Sequence, residues 1–224
     1  MSSDNEDFDS FRETCENVSR AKQTNPGMFV SAWEKDENDI NAWSEKEIKE
    51  DPIKKFIVSA ENNDVTFIDE VLSKDAIYGL NKADYLGGKD PDGYTALHRA
   101  TYQGNCEVVR ILLDHGADIN CRTNDEWTPL HSAAFWNQTR CVQILIEYGA
   151  DYKALTSSQQ TPLHLAASNN QTMETIAYLI SLPGVEEIAN KSNMIGDSFA
   201  DLISKNTPHS YILSAFDKRY ICIE

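Results

Sequence analysis

Thr128-Pro129-Leu130-His131 returns as Thr161-Pro162-Leu163-His164, and Thr95-Ala96-Leu97-His98 precedes both. The threonines stand at 95, 128 and 161, so both intervals are 33 residues. The tail of the unit keeps the same step, from Gly116-Ala117-Asp118 to Gly149-Ala150-Asp151. A fixed period of this length marks a supersecondary unit that cannot bury its apolar face alone. Such a unit must stack on copies of itself.

The residues inside the period say what the unit is. Thr95, Thr128 and Thr161 are good N-caps, whose hydroxyl satisfies a helix-start amide that otherwise lacks a partner. Pro129 and Pro162 occupy the first helical position, where a missing N–H costs nothing. Leu97, Leu130 and Leu163 then point into the layer between units, and Ala100, Ala133 and Ala166 let the next pair approach. Six residues after each motif histidine come Gly104, Asn137 and Asn170, types that tolerate the left-handed conformation ending a helix. Second helices follow, rich in apolar residues such as Val108, Leu112, Val142, Leu145, Ile176 and Leu179. Burying each is worth roughly 1.5–3 kcal/mol before chain entropy is subtracted. One unit cannot offset that entropy, whereas several stacked units can.

This wording and period resemble the ankyrin repeat. The resemblance implies an all-α solenoid of helix-turn-helix units joined by β-turn or hairpin loops. It extends to the layout of the chain. The acidic arm with Trp33 and Trp43, the charged helix leading to Asp51-Pro52 and the Ser59-Ala60-Glu61-Asn62 stretch are similar to a small adaptor-like branch of that family. Glu126 and Gln159 depart from the pattern, because the repeat usually has Gly there. The first connection is also long: Asn63 to Gly104 is 41 residues, placing surplus chain between Lys74 and Lys89, where Gly87-Gly88 reads as flexible.

On this basis residues 1–43 are an acidic, largely disordered arm, and 44–89 hold a leading helix and a degenerate N-terminal capping repeat. Fuller units occupy 90–122, 123–155 and 156–191, the third with insertions. A C-terminal capping repeat takes 192–216, closing with Tyr211-Ile212-Leu213, and 217–224 form a tail. Ser44 and Glu47 form a capping-box pattern that opens the structured part.

Composition narrows the partner. Acids outnumber bases by 36 to 20, a formal net charge of −16, which disfavours phosphate backbones and anionic membranes alike. The start, Met1-Ser2-Ser3-Asp4, lacks the basic and apolar regions of a signal peptide, and no apolar run approaches the roughly 20 residues of a membrane span. Cys15, Cys106, Cys121, Cys141 and Cys222 are odd in number and scattered, so they read as reduced thiols. The expectation is an intracellular protein of nucleus or cytoplasm, monomeric, with a protein or peptide partner, no nucleic acid and no membrane.

Chemistry is not expected. His98, His131 and His164, with Cys106 and Cys141 downstream, invite a metal reading, but residues 33 apart fall on successive layers and need not converge on one ion. They read instead as staples, bonding backbone groups of the adjoining turn. No phosphate loop or catalytic triad is placed by spacing, so no cofactor, metal or catalytic residue is assigned.

The resemblance also implies a binding surface on the concave, inward curve, lined by the turn before each threonine and the exposed side of each first helix. Those slots hold Asp92, Tyr94, Arg99, Tyr102 and Gln103 in the first full unit. They hold Asn124, Asp125, Trp127, Ser132, Phe135 and Trp136 in the second, and Ser158, Gln160, Ser168 and Asn169 in the third. Tyr94, Tyr102, Trp127, Phe135 and Trp136 are expected to face solvent as the centre of a partner site, since buried hot spots favour aromatics; the alternative is that Trp127 or Phe135 packs on the adjacent unit's turn. Asn120 sits where ankyrin proteins can be hydroxylated, although a loop-stabilising asparagine is the ordinary explanation. Phe8, Phe11, Phe29, Val30, Trp33 and Trp43, spaced among acids, suggest an arm that folds on a partner protein or back onto the aromatic patch. Two functions follow: an interaction scaffold, or a transcriptional co-regulator whose arm recruits machinery while the repeats bind a transcription factor.

Overall fold

The computed structural model describes residues 43–74, 76–169 and 173–206. The arm before residue 43, Asn170 and Tyr211-Ile212-Leu213 lie outside them. Helix α1 (Glu45–Glu50) opens on the Ser44–Glu47 capping box, with the Glu47 amide donating to Ser44 Oγ at 3.3 Å. Asp51 then caps α2 (Pro52–Glu61), accepting from the Ile53 amide at 2.9 Å, and α3 (Val65–Ser73) follows.

The long first connection is not a flexible stretch. It folds as a two-residue hairpin, β1 (Ala76–Ile77) against β2 (Leu80–Asn81), and a capped helix, α4 (Lys82–Gly87). Tyr85 on α4 is buried, its ring centroid 5.2 Å from that of Phe56. Gly87-Gly88 reads as loose chain in sequence, yet burial of the Tyr85 ring holds the segment on the stack. Trp43, assigned to the arm, likewise packs against the core with the Lys54 ammonium 4.9 Å from its ring centre.

Regular units come next. The pairs are α5 (Ala96–Gln103) with α6 (Cys106–Asp114), α7 (Pro129–Phe135) with α8 (Thr139–Glu147), and α9 (Pro162–Ser168) with α10 (Met173–Leu179). After α10, where three residues are added relative to the earlier units, the chain forms a short four-residue helix, α11 (Glu186–Ala189), which buries Ile188 and Ala189. Helix α12 (Phe199–Asn206) then occupies the first-helix position, with Ser198 and Asp201 in the slots of threonine and histidine.

First helices α2, α5, α7, α9 and α12 pack in series, and second helices α3, α6, α8 and α10 form a parallel layer behind them. Between the layers runs one apolar seam from Phe56 to Ile203. Helices α6 and α8 each end in a left-handed glycine, Gly116 and Gly149, both at φ 90°. The amide after it closes the helix: Ala117 N–H reaches Leu112 O and Ala150 N–H reaches Leu145 O, both at 2.9 Å. Gly104 (φ 81°) and Asn137 (φ 56°) make the reversal expected of them between helices. An all-α ankyrin-type solenoid is what this chain forms.

Candidate functional site

The motif histidines are built into the stack. His131 Nδ1 accepts from the Thr128 amide at 3.1 Å and from its hydroxyl at 2.8 Å, while Nε2 lies 3.1 Å from Gln160 O in the next unit. An amide can only donate, so Nδ1 is bare and the proton sits on Nε2, where it bonds the carbonyl. His98 repeats this with Thr95 and Trp127 O (3.0 Å), and His164 with Thr161 and Lys191 O (2.9 Å). Burial drives His98 and His131 down to about 3 and lowers His164, against the weaker upward pull of the carbonyls. These are neutral staples. Among the described residues no group of three or more His, Cys, Asp or Glu could hold a metal ion, and no helix is long and apolar enough to cross a membrane.

The turns before the threonines form a row of fingers. Each starts at a side-chain acceptor, Asp90, Thr123, Thr156 or Asn193, which takes the amide four residues on at 2.8–3.1 Å. Sequence reading missed these anchors, although Thr123 and Thr156 keep the period. Neighbouring fingertips are joined through their backbones: Asn124 N–H to Asp92 O at 3.0 Å, Ser157 to Asp125 at 3.1 Å, and Met194 to Ser158 at 3.1 Å. The row is therefore continuous from the first full unit to the last.

Of the fifteen expected contact positions, five are buried. Arg99 is one, its guanidinium 2.6 Å from the Asp90 carboxylate with side chains 6% and 0% exposed, and 4.8 Å from the Tyr94 ring centre. Trp127 (5% exposed) and Phe135 (6%) pack on each other and on Leu165, and Ser132 and Gln160 are also enclosed. The expectation that these five face solvent is corrected. Leu165 on the next unit's first helix packs on Trp127 and Phe135, while Arg99 is enclosed with Asp90 and Tyr94 of its own unit.

The remaining positions stay at least partly open. Trp136, at the end of α7, is half-buried and meets Tyr102 edge-on at 4.8 Å and Phe135 at 5.1 Å. Tyr94 and Asp92 are half-buried, and so is Asp125, whose carboxyl is raised by burial. Gln103 and Asn124 are exposed; their amides hold Glu61 Oε1 (3.2 Å) and Pro91 O (2.9 Å). Ser158, Ser168 and Asn169 are half-buried, with Asn169 Nδ2 donating to Phe135 O at 2.9 Å. Asn120 is exposed, and its Oδ1 accepts from the Asp151 amide at 3.0 Å, a bond between successive loops.

Sequence reading also missed Met194 (70% exposed) and Ile195 (50%). They occupy the fingertip slots of Asn124-Asp125 and Ser157-Ser158, four residues late because one residue is added between α9 and α10 and three more after α10.

Comparison with known proteins agrees with this architecture. The family description "Ankyrin repeats (3 copies)" matches residues 56–156, and "Ankyrin repeats (many copies)" matches 133–180. Together they take in more than half of the chain. It belongs to the ankyrin-repeat family. Ankyrin repeat domain-containing protein 49 of Bos taurus is 39% identical over 79 residues, 35% of this chain and 30% of that protein. The Drosophila melanogaster protein of the same name is 33% identical over 113 residues, 50% of this chain and 48% of that one. Human BCL-6 corepressor-like protein 1 is 42% identical over 50 residues, 22% of this ankyrin-repeat chain and 3% of its own length. The matched stretches thus span less than half of these relatives. Ankyrin repeats are protein-interaction modules, and no catalytic family is indicated.

Proposed function

We propose that this chain is a non-catalytic, monomeric adaptor that takes a protein or peptide segment across its fingertips and the open side of its first helices. The contact set is revised from the sequence expectation: Tyr102, Trp136, Asp92, Asn124, Asp125 and Ser158, together with Met194 and Ile195. One observation carries this reading. Two large apolar side chains stand exposed at the end of an otherwise polar fingertip row, where they pay a solvation penalty unless something covers them. They are held on a rigid, backbone-linked scaffold, as hot-spot residues need to be. The test compares full-length chain with the Met194→Asp/Ile195→Asp double variant in affinity capture from cell extract. Partner recovery should fall about tenfold, the effect of losing roughly 1.4 kcal/mol, with thermal unfolding unchanged. Full capture by the variant would overturn this docking face.

A second reading, a nuclear co-regulator, draws on the acids concentrated before residue 52 and on the 50-residue likeness to a corepressor. The channel protein that is 39% identical over 61 residues weakens it, because such short matches follow the repeat itself. Recovery of chromatin proteins in the same capture would favour the co-regulator.

A further inference from the structure

Two of the cysteines that looked scattered in the sequence meet in the stack. Cys106 Sγ on the first residue of α6 lies 3.5 Å from Cys141 Sγ on the third residue of α8, across the boundary between the first and second full units. Their offset is 35 residues, not 33, so the pairing is diagonal and the repeat period does not reveal it. The next boundary shows the same diagonal. Thr139, first residue of α8, is hydrogen-bonded through its hydroxyl to that of Thr175, third residue of α10, at 2.8 Å. The stack thus brings these two slots together by construction and fills them once with hydroxyls and once with thiols. Both cysteines are free, Cys106 half-buried and Cys141 buried. Cys121 is engaged elsewhere, 3.5 Å from Thr95 Oγ1 and 3.6 Å from His98 Nδ1.

We infer that Cys106 and Cys141 are a peroxide-oxidisable pair, which closes to a disulfide and latches the first full unit to the second. The half-exposed Cys106 meets the oxidant first. Its sulfur attacks one peroxide oxygen, the O–O bond breaks, and Cys106 becomes a sulfenic acid with release of water. Cys141 Sγ then attacks Cys106 Sγ, the S–O bond breaks, and the departing hydroxide takes the Cys141 proton as a second water. Two thiols are oxidised by two electrons and one hydrogen peroxide is reduced to two waters. Burial and the adjoining Cys106 hold the Cys141 thiol above its ordinary range, which keeps it protonated until that second step. The bond needs the sulfurs to close from 3.5 Å to about 2 Å. It would bridge the two units that also carry the Tyr102–Trp136 contact.

The experiment treats the full-length chain with stoichiometric hydrogen peroxide, followed by intact mass, non-reducing peptide mapping and thermal unfolding. The expected product is two hydrogens lighter, contains a Cys106–Cys141 linked peptide, and melts higher by about 5 °C, because a loop is closed in the unfolded chain. Dithiothreitol should reverse all three. The Cys106→Thr/Cys141→Thr double variant copies the hydroxyl pair of the next boundary; it should fold like the reduced parent and show no linked peptide and no shift in melting. An oxidised product linked through Cys15, Cys121 or Cys222, oxygen addition without linkage, or a melting shift that persists in the double variant would each overturn the latch.

Discussion

The first and second full units run the same backbone through different side chains. Asp90 faces Thr123 across the period, Gly93 faces Glu126, Tyr94 faces Trp127, Arg99 faces Ser132, and Gln103 faces Trp136. Both turns make the same bonds from anchor to fifth residue, and both histidines reach the same carbonyl one layer on. In the first unit the anchor carries a charge, so a buried guanidinium must neutralise it, and Tyr94 lies over that pair. In the second the anchor is a neutral hydroxyl, the facing residue shrinks to serine, and a tryptophan packs on Phe135 and Leu165. Backbone geometry is set by the period, whereas the slots it creates can be filled by an ion pair or by rings. That freedom is where one ankyrin chain differs from another.

The sharpest way to break the comparison is to remove the facing residue in each unit. Arg99→Ala leaves the Asp90 carboxylate enclosed without its cation and should cost about 3–5 kcal/mol in urea unfolding. Ser132→Ala removes a buried hydroxyl whose oxygen has no hydrogen-bond partner among the described residues, so stability should hold or rise by up to about 1 kcal/mol. The double change Asp90→Thr/Arg99→Ser, which writes the second unit's chemistry into the first, should recover most of the loss. Equal costs for Arg99→Ala and Ser132→Ala would show that the ion pair does not distinguish the units.

Acid should act on both units alike. His98 and His131 stay neutral in the folded stack down to about pH 3, while an unfolded imidazole takes up its proton near 6.5. Between those values the unfolded chain binds more protons, so stability is complete above pH 6.5 and falls as pH drops. At 1.4 kcal/mol per pH unit, each histidine should cost about 2 kcal/mol by pH 5. Urea unfolding followed from pH 7.5 to 5 measures the slope, and His131→Gln should remove about a third to a half of the histidine share, since burial lowers His164 as well. A slope unchanged by that substitution would mean His131 does not carry it.

How much of this was legible follows the same division. Thr-Pro-Leu-His, the left-handed Gly104 and Asn137, and the apolar second helices could be read because each slot repeats at a constant interval and its residue type has one backbone job. Arg99 could not, since a charged side chain reads as exposed until its partner nine residues earlier is known to be buried. Trp127 and Phe135 sit in slots that the family resemblance assigns to the binding face, but whether a ring there is covered depends on Leu165 in the following unit. Met194-Ile195 and the Cys106–Cys141 contact escaped for a simpler reason: an insertion shifted one and a diagonal offset hid the other. What repeats in register is readable, and what crosses the register needs three dimensions.

The smallest effect tests the turn slot where the units differ most plainly. Gly93, Glu126, Gln159 and Gly196 all have positive φ, at 87°, 64°, 60° and 92°, so the two departures from glycine leave the turn geometry unchanged and carry strain instead. A left-handed side chain costs roughly 1–2 kcal/mol, and replacing it with glycine returns roughly 0.5–1 kcal/mol to the unfolded chain. Glu126→Gly also gives up the Arg122 ion pair, but both side chains are exposed and that pair contributes little. The net gain should be about 0.5 kcal/mol for Glu126→Gly, and slightly more for Gln159→Gly. Gly93→Ala should go the other way, since its added carbon would lie 2.8 Å from the Asn124 amide nitrogen in the next finger. Differential scanning calorimetry of the three single variants decides it: a stabilising alanine at 93, or a destabilising glycine at both 126 and 159, would mean that the fingers relax around whatever occupies the slot, and that the backbone is less fixed by the period than the units' shared hydrogen bonds imply.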